Sequence, residues 1–237
     1  MVLKGLDPML PFTLAGITLA MATLGFTAYE ARMRQPAMQR AMQPTAQTTP
    51  PFNAIARPAF VILLLGAGFQ VHFFINAAPL YKSVADPTLL PWLMPLFWIG
   101  FSIAVYPGAR LIKRHAAASV FALSALLGSA ASAACLASPP LPLLMTLQAL
   151  AGIAWGGVFL SGLCLAGALG HTGREALFIG VLFACLAVGA VTRIGLSLAG
   201  VSFSVNLTVP LAAGLWAVGA MLSLPWLRAR TAIGRVM

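Results

Sequence analysis

The chain has 237 residues, 60% of them hydrophobic and 8% charged, with a mean hydropathy of +0.95 and a net charge of +10 at pH 7. A soluble domain carries about 25% charged residues, so this composition excludes a water-facing surface and assigns the apolar side chains to lipid. The positive charge does not indicate nucleic acid either, because Lys and Arg cluster at the ends of apolar runs and form no stripe interleaved with aromatic residues.

A helix that crosses a hydrocarbon core of about 30 Å needs roughly 20 apolar residues, and the apolar runs predict seven such spans. The first covers residues 8–29. It is long and no small-residue cleavage site follows it, so it reads as a retained span and not as a signal peptide. Residues 30–58, rich in Gln, Thr, Pro and Met, have too few apolar side chains to bury and predict a linker that is mobile or partly helical on the membrane surface. The second helix is expected over 59–80, the third over 89–106 and the fourth over 116–137. The Ser138-Pro139-Pro140 turn separates it from the fifth, over 141–169; the sixth is expected over 176–200 and the seventh over 206–227. The fold class is therefore all-α, a polytopic transmembrane helical bundle. Its expected organisation is a first transmembrane helix (1–30), a basic linker (31–58), a six-helix bundle (59–230) and a tail (231–237).

Charge orients this layout. Arg32, Arg34, Arg40, Arg57, Arg110, Lys113, Arg114, Arg174, Arg228, Arg230 and Arg235 fall on one side, and only Lys4 and Lys82 on the other. The positive-inside rule puts the loaded side in the cytoplasm, which leaves the amino terminus periplasmic and the carboxyl terminus cytoplasmic. The Ala-, Leu- and Arg-rich composition points to GC-rich bacterial DNA and hence to an inner membrane. Trp92 and Trp226, near span ends, read as interfacial anchors. Cys135, Cys164 and Cys185 lie inside apolar runs without C-x-x-C spacing and read as buried, inert thiols. Met33, Met38 and Met42 offer thioethers of the kind that suit Cu(I), but their spacing is irregular and no Cys or His joins them. No metal and no cofactor is expected.

Polar side chains at membrane depth are costly and mark pathways or partners. Arg193 stands out, about five residues outward of mid-span in the sixth helix, or ~7 Å at 1.5 Å per residue. In the second helix Gln70 is near mid-span, and His72 and Asn76 lie further outward, four apart and so on one face. In the fifth helix Gln148 is outward of mid-span and Trp155 near it. A shared cavity in the outward half would bring these side chains together, with the His72–Asn76 face near Arg193, and the six are the candidate binding residues: Arg193 to attract a charge, His72, Asn76 and Gln148 to orient a solute. The plainer reading makes Arg193 a partner of backbone carbonyls or headgroups, the amides and His72 interhelical hydrogen bonders, and Trp155 a packing residue. His115 and His171 fall in expected turns. All four carboxylates, Asp7, Glu30, Asp86 and Glu175, lie at span ends or in loops, so a proton relay would need a carboxylate from another chain, or titration of His72.

One helix, a long basic loop and six further helices resemble the carboxyl-terminal half of a major facilitator superfamily transporter with the helix that precedes it. Residues 106–115 (YPGARLIKRH) resemble a degenerate form of that family's basic turn, G-x-x-x-D-R-x-G-R-R; Ile112 and Lys113 stand where the family has Asp-Arg, so the bridging carboxylate is missing. Residues 148–157 (QALAGIAWGG) are similar to the glycine-rich fourth helix of each family half, where Gly152 and Gly156 form a G-x-x-x-G that lets two backbones approach. The resemblance implies a half-transporter for a small, anionic solute, completed by a second membrane chain or another copy, since the family's pathway lies between two halves. A second reading is a non-transporting accessory subunit of a larger membrane complex, and a third a truncated frame. An enzyme is not expected, for want of H-E-x-x-H, a nucleophile elbow, a phosphate loop or paired carboxylates.

Overall fold

The computed structural model describes residues 52–169, 175–201 and 203–226. The expected first helix, most of the linker, the Met33–Met38–Met42 group, Asp7, Glu30, His171 and the tail lie outside them. Every regular element among the described residues is helical, and six helices are long and apolar enough to cross a membrane. The protein is a multi-pass membrane protein.

The first described span is α1 (Phe52–Phe69), continued without a break by a π-helical segment (Gln70–Asn76) and α2 (Ala77–Lys82). It starts at Phe52 and not at residue 59, so the end of the expected linker is helical. The reason is that Ile55, Ala59 and Ile62 recur at helical spacing and carry the apolar face through Pro58, whose missing N–H is tolerated where neighbouring helices re-satisfy the backbone. The second span opens with a 3₁₀ turn (Pro87–Leu89), α3 (Leu90–Leu93) and α4 (Pro95–His115). Asp86 caps it by accepting from Thr88 Oγ1 (2.7 Å) and Thr88 N (2.8 Å), and these bonds hold its carboxyl below the usual range.

Residues 106–115, expected as a turn, are instead the last turns of α4. Pro107 sits inside the helix, and Lys113, Arg114 and His115 occupy its last turn, where basic side chains complement the carbonyl end of the helix dipole. The turn is reduced to Ala116, at φ 75°, and α5 (Ala117–Ala134) begins at once. A 3₁₀ turn (Cys135–Ala137) and Ser138 at φ 49° lead to α6 (Leu141–Leu169), followed by α7 (Glu175–Leu198) and α8 (Val205–Ser223). Cys135 is buried, but Cys164 is exposed and Cys185 partly so; a weakly polar thiol is compatible with a lipid-facing position as well as with a core.

α4 lies along α6; α5 lies along both α6 and α8; α1 packs on α7 and α8, and α7 also meets α6. Numbered as spans, 1 pairs with 5 and 6, 4 pairs with 2 and 3, and 3 pairs with 6. Exchanging the first three spans with the last three leaves these pairings unchanged. The contacts of span 4 with span 5 and of span 2 with span 3 have no counterparts of their size. Each triplet holds an odd number of helices, so the second runs in the opposite sense to the first.

Small residues set the closest approaches. A Cβ on Gly152 would collide with the carbonyl oxygen of Phe97, and one on Gly100 with that of Ala149; a Cβ on Gly156 would lie 2.8 Å from that of Ala104. The G-x-x-x-G of α6 thus seats α4. On the other side of the core, Cβ atoms on Gly68 of α1 or Gly128 of α5 would fall into the indole of Trp216. These two glycines form the slot in which Trp216 of α8 is fully buried, edge-on to Trp155 at 6.0 Å. α7 is the least covered span, with only Phe178 and Leu182 buried.

Candidate functional site

The candidate residues of the first span, Gln70, His72 and Asn76, fall on the π-helical segment, where the backbone closes on the fifth residue and not the fourth, a geometry frequent at functional sites. The segment splits its side chains between two directions. Gln70 and Phe74 turn toward α7, and His72 and Asn76 turn into the bundle.

Arg193 of α7 meets the first pair. Its Nε donates to Gln70 Oε1 at 2.9 Å, and its Cζ lies 4.3 Å from the centroid of Phe74. The hydrogen bond and the ring together fix the plane of the guanidinium. Arginine has five donors, and no acceptor among the described residues is within hydrogen-bond reach of the two terminal nitrogens of this one. Arg193 is partly exposed. Phe74 belongs to an aromatic group shared by three spans: Phe69 stacks on Trp155 at 4.4 Å, Phe73 lies 4.6 Å from Phe97, and Trp98 stands edge-on to Phe69, Phe73 and Phe97. Phe74 is 43% exposed and Trp98 41%, so the group presents an aromatic margin beside an unsatisfied guanidinium fork. Trp155, proposed from sequence as a site residue, lies beneath this margin in the core and packs; it is not presented to a ligand.

The second pair belongs to a sealed cluster. His72, Asn76 and Gln148 are each exposed by 1% or less. His72 Nδ1 is 3.0 Å from Ser132 Oγ on α5, and Asn76 Oδ1 accepts from the Thr208 hydroxyl on α8. The Gln148 amide on α6 is close enough to His72 to act on it, yet neither His72 Nε2 nor either end of that amide meets a partner with hydrogen-bond geometry. Asn76 Nδ2 and Tyr81 Oη are buried and unpaired as well. A buried group left so costs about 1–3 kcal/mol, and rotation of the Gln148 amide to accept from His72 Nε2–H would remove part of this cost.

The six residues singled out from sequence therefore do not form one cavity. The structure joins Arg193 to Gln70, joins His72 loosely to Gln148 with Asn76 in the same interior, and keeps the two groups on different faces of span 1. Sequence reading missed Phe74, Trp98, Ser132 and Thr208. Their only signal is spacing, Phe74 four residues after Gln70, and in membrane helices Ser and Thr are too common to stand out. Trp226, read as an interfacial anchor, is partly buried and packs on Phe121 at 5.6 Å, whereas Trp92 is 68% exposed at its span end. The chain matches no protein family model, no curated protein and no solved structure.

Proposed function

We propose that this chain is one half of a facilitator-type membrane transporter, a three-plus-three inverted repeat that handles a small anionic solute with a second membrane chain or a second copy. The observation that carries the reading is the set of helix pairings that survives exchange of the first three spans with the last three, the arrangement nested in each half of major facilitator transporters. Spans 2 and 5, equivalent under that exchange, are also the two least covered, and so offer the faces for a second half. Arg193, held by Gln70 and Phe74 with its fork free, supplies the anion contact. The basic ends face the cytoplasm of a bacterial inner membrane in this reading, by the positive-inside rule.

The test is uptake by the purified full-length protein in proteoliposomes, with a panel of small carboxylates and phosphate against neutral analogues. Arg193→Ala is expected to lower anion uptake about tenfold or more, the loss of a charged hydrogen bond, and to leave neutral solutes unaffected. Arg193→Lys should keep part of the attraction without the planar fork. The accessory-subunit reading is favoured by one observation, the sealing of His72, Asn76 and Gln148 away from any route. Absence of uptake, with co-purification of a larger membrane complex, would decide for it.

A further inference from the structure

At the opposite end of the bundle from Arg193, helices α1, α5, α6 and α7 and the residue Trp226 enclose an open cavity of about 320 Å³, lined among others by Ile62, Phe121, Leu165 and Leu182. The cavity lies toward the basic end, where α1 and α7 begin and α4 and α6 finish. We propose that this cavity is a binding site for one acyl chain of an anionic phospholipid, whose phosphate is met by Arg57.

Three observations support this assignment. An apolar interior cavity about half this size prefers benzene or xenon to water, and the lining here is of the same kind, Ile, Leu, Phe and Trp side chains, so an apolar occupant is favoured. Gly162 contributes no side chain to the lining, and a Cβ there would make only ordinary contacts, 3.4–3.6 Å from Leu182, Phe121 and Ile62 of the three surrounding helices. Around a membrane-spanning bundle the abundant apolar molecule of matching chemistry is a lipid tail. Arg57 then selects the headgroup. It lies on the same turn of α1 as Ile55 and Pro58, which line the cavity, and it is exposed. Its Nη2 donates to the carbonyl of Leu222 at 3.1 Å, which anchors the guanidinium and leaves donors for a phosphate. Lys113 and Arg114 add positive charge to the same end, as in basic pockets between transmembrane helices that hold anionic headgroups.

The experiment uses the full chain, purified in mild detergent and offered equimolar phosphatidylglycerol and phosphatidylcholine. Retained lipid is counted by native mass spectrometry, and the contact is mapped by photo-crosslinking from p-benzoylphenylalanine placed at Leu169, an exposed lining residue at the rim that leaves the interior of the cavity free. The expected result is one retained phosphatidylglycerol, preferred about fivefold over phosphatidylcholine, and a crosslink to phospholipid. Ala59→Phe and Leu165→Trp, filling the cavity from different helices, should each abolish retention; Arg57→Gln should keep a lipid but lose the preference. Unchanged retention in whichever filling variant folds would overturn the site, and equal retention of both lipids would overturn the role of Arg57. A crosslink to residues 227–237 of the same chain, or to a second copy, would show another occupant and end the proposal. The outcome is independent of uptake by the protein and of Arg193.

Discussion

Replacing Gly152 by alanine adds one methyl group at the tightest seam of the bundle. The new Cβ would collide with the carbonyl oxygen of Phe97 and stand 2.8 Å from its carbonyl carbon and 3.0 Å from the amide nitrogen of Phe101, where ordinary contact begins near 3.4 Å. These are backbone atoms of α4, so no side chain can rotate away and the whole helix must retreat from α6. Overpacking of this kind costs about 1–3 kcal/mol. Alanine recovers up to ~1 kcal/mol through its better helix propensity, and less in a membrane, where the separated helix is already formed. The expected net destabilisation is ~1–2 kcal/mol, read as a lower midpoint in SDS-induced unfolding from bicelles. Gly180 on α7 is the control, since nothing lies within 4 Å of its Cβ position; Gly180→Ala should be neutral or slightly stabilising. Equal effects at the two positions would refute the argument, because they differ in surroundings and not in intrinsic propensity.

Trp216→Ala empties the slot between Gly68 and Gly128 and should cost about 3 kcal/mol, mostly through the cavity left behind, since lipid replaces water as the alternative environment of the indole; a thermal midpoint within a degree of the parent would contradict this. In the sealed cluster, Gln148→Leu replaces an amide that has no partner and should leave stability unchanged or raise it slightly, whereas Ser132→Ala strips His72 Nδ1 of its neighbour and should cost about 1 kcal/mol. Comparing the two unfolding midpoints checks the assignment, and the opposite order would place the hydrogen bond on Gln148 instead.

The apolar runs were enough to locate six spans, because a lipid-facing helix has to be apolar along its whole length. The expected fifth helix, 141–169, matches α6 at both ends. The third did not match, because a Pro-Gly pair and three basic residues read as a turn, whereas α4 continues through them to His115 and the connection needs only Ala116. Depth along the span put Arg193 in the outer half with His72 and Asn76 and left Gln70 nearer mid-span, but the structure pairs Arg193 with Gln70. Depth says nothing of azimuth, so the same reasoning wrongly placed His72 and Asn76 with Arg193. The π-helical segment that helps to separate them contains neither Pro nor Gly and left no mark in the sequence. The slot for Trp216 was illegible for a different reason: Gly68, Gly128 and Trp216 come from three helices, and any one of those glycines could have faced lipid. The cavity was equally hidden, since it consists of volume that no residue supplies.

Cohesion in such a bundle has to come from close fit and hydrogen bonds, because lipid tails accommodate an apolar side chain as well as a neighbouring helix does. Here the bonds converge on one segment. Gln70, His72 and Asn76 all lie on the π-helical stretch, and each is matched by a different helix: Arg193 of α7, Ser132 of α5 and Thr208 of α8. A π turn packs its own backbone less favourably than an α turn, which keeps it rare; three side-chain bonds at roughly 1 kcal/mol each are of a size to hold one in place. Toward the basic end the bundle has a cavity where this half has bonds, with the Arg57–Leu222 bond at its rim. Resistance to helix displacement is thus graded along the membrane normal. Span 1 is tied to its neighbours in the half that carries Arg193, and a rearrangement that spreads α1, α6 and α7 meets least opposition at the basic end, with the π-helical segment as its fixed point.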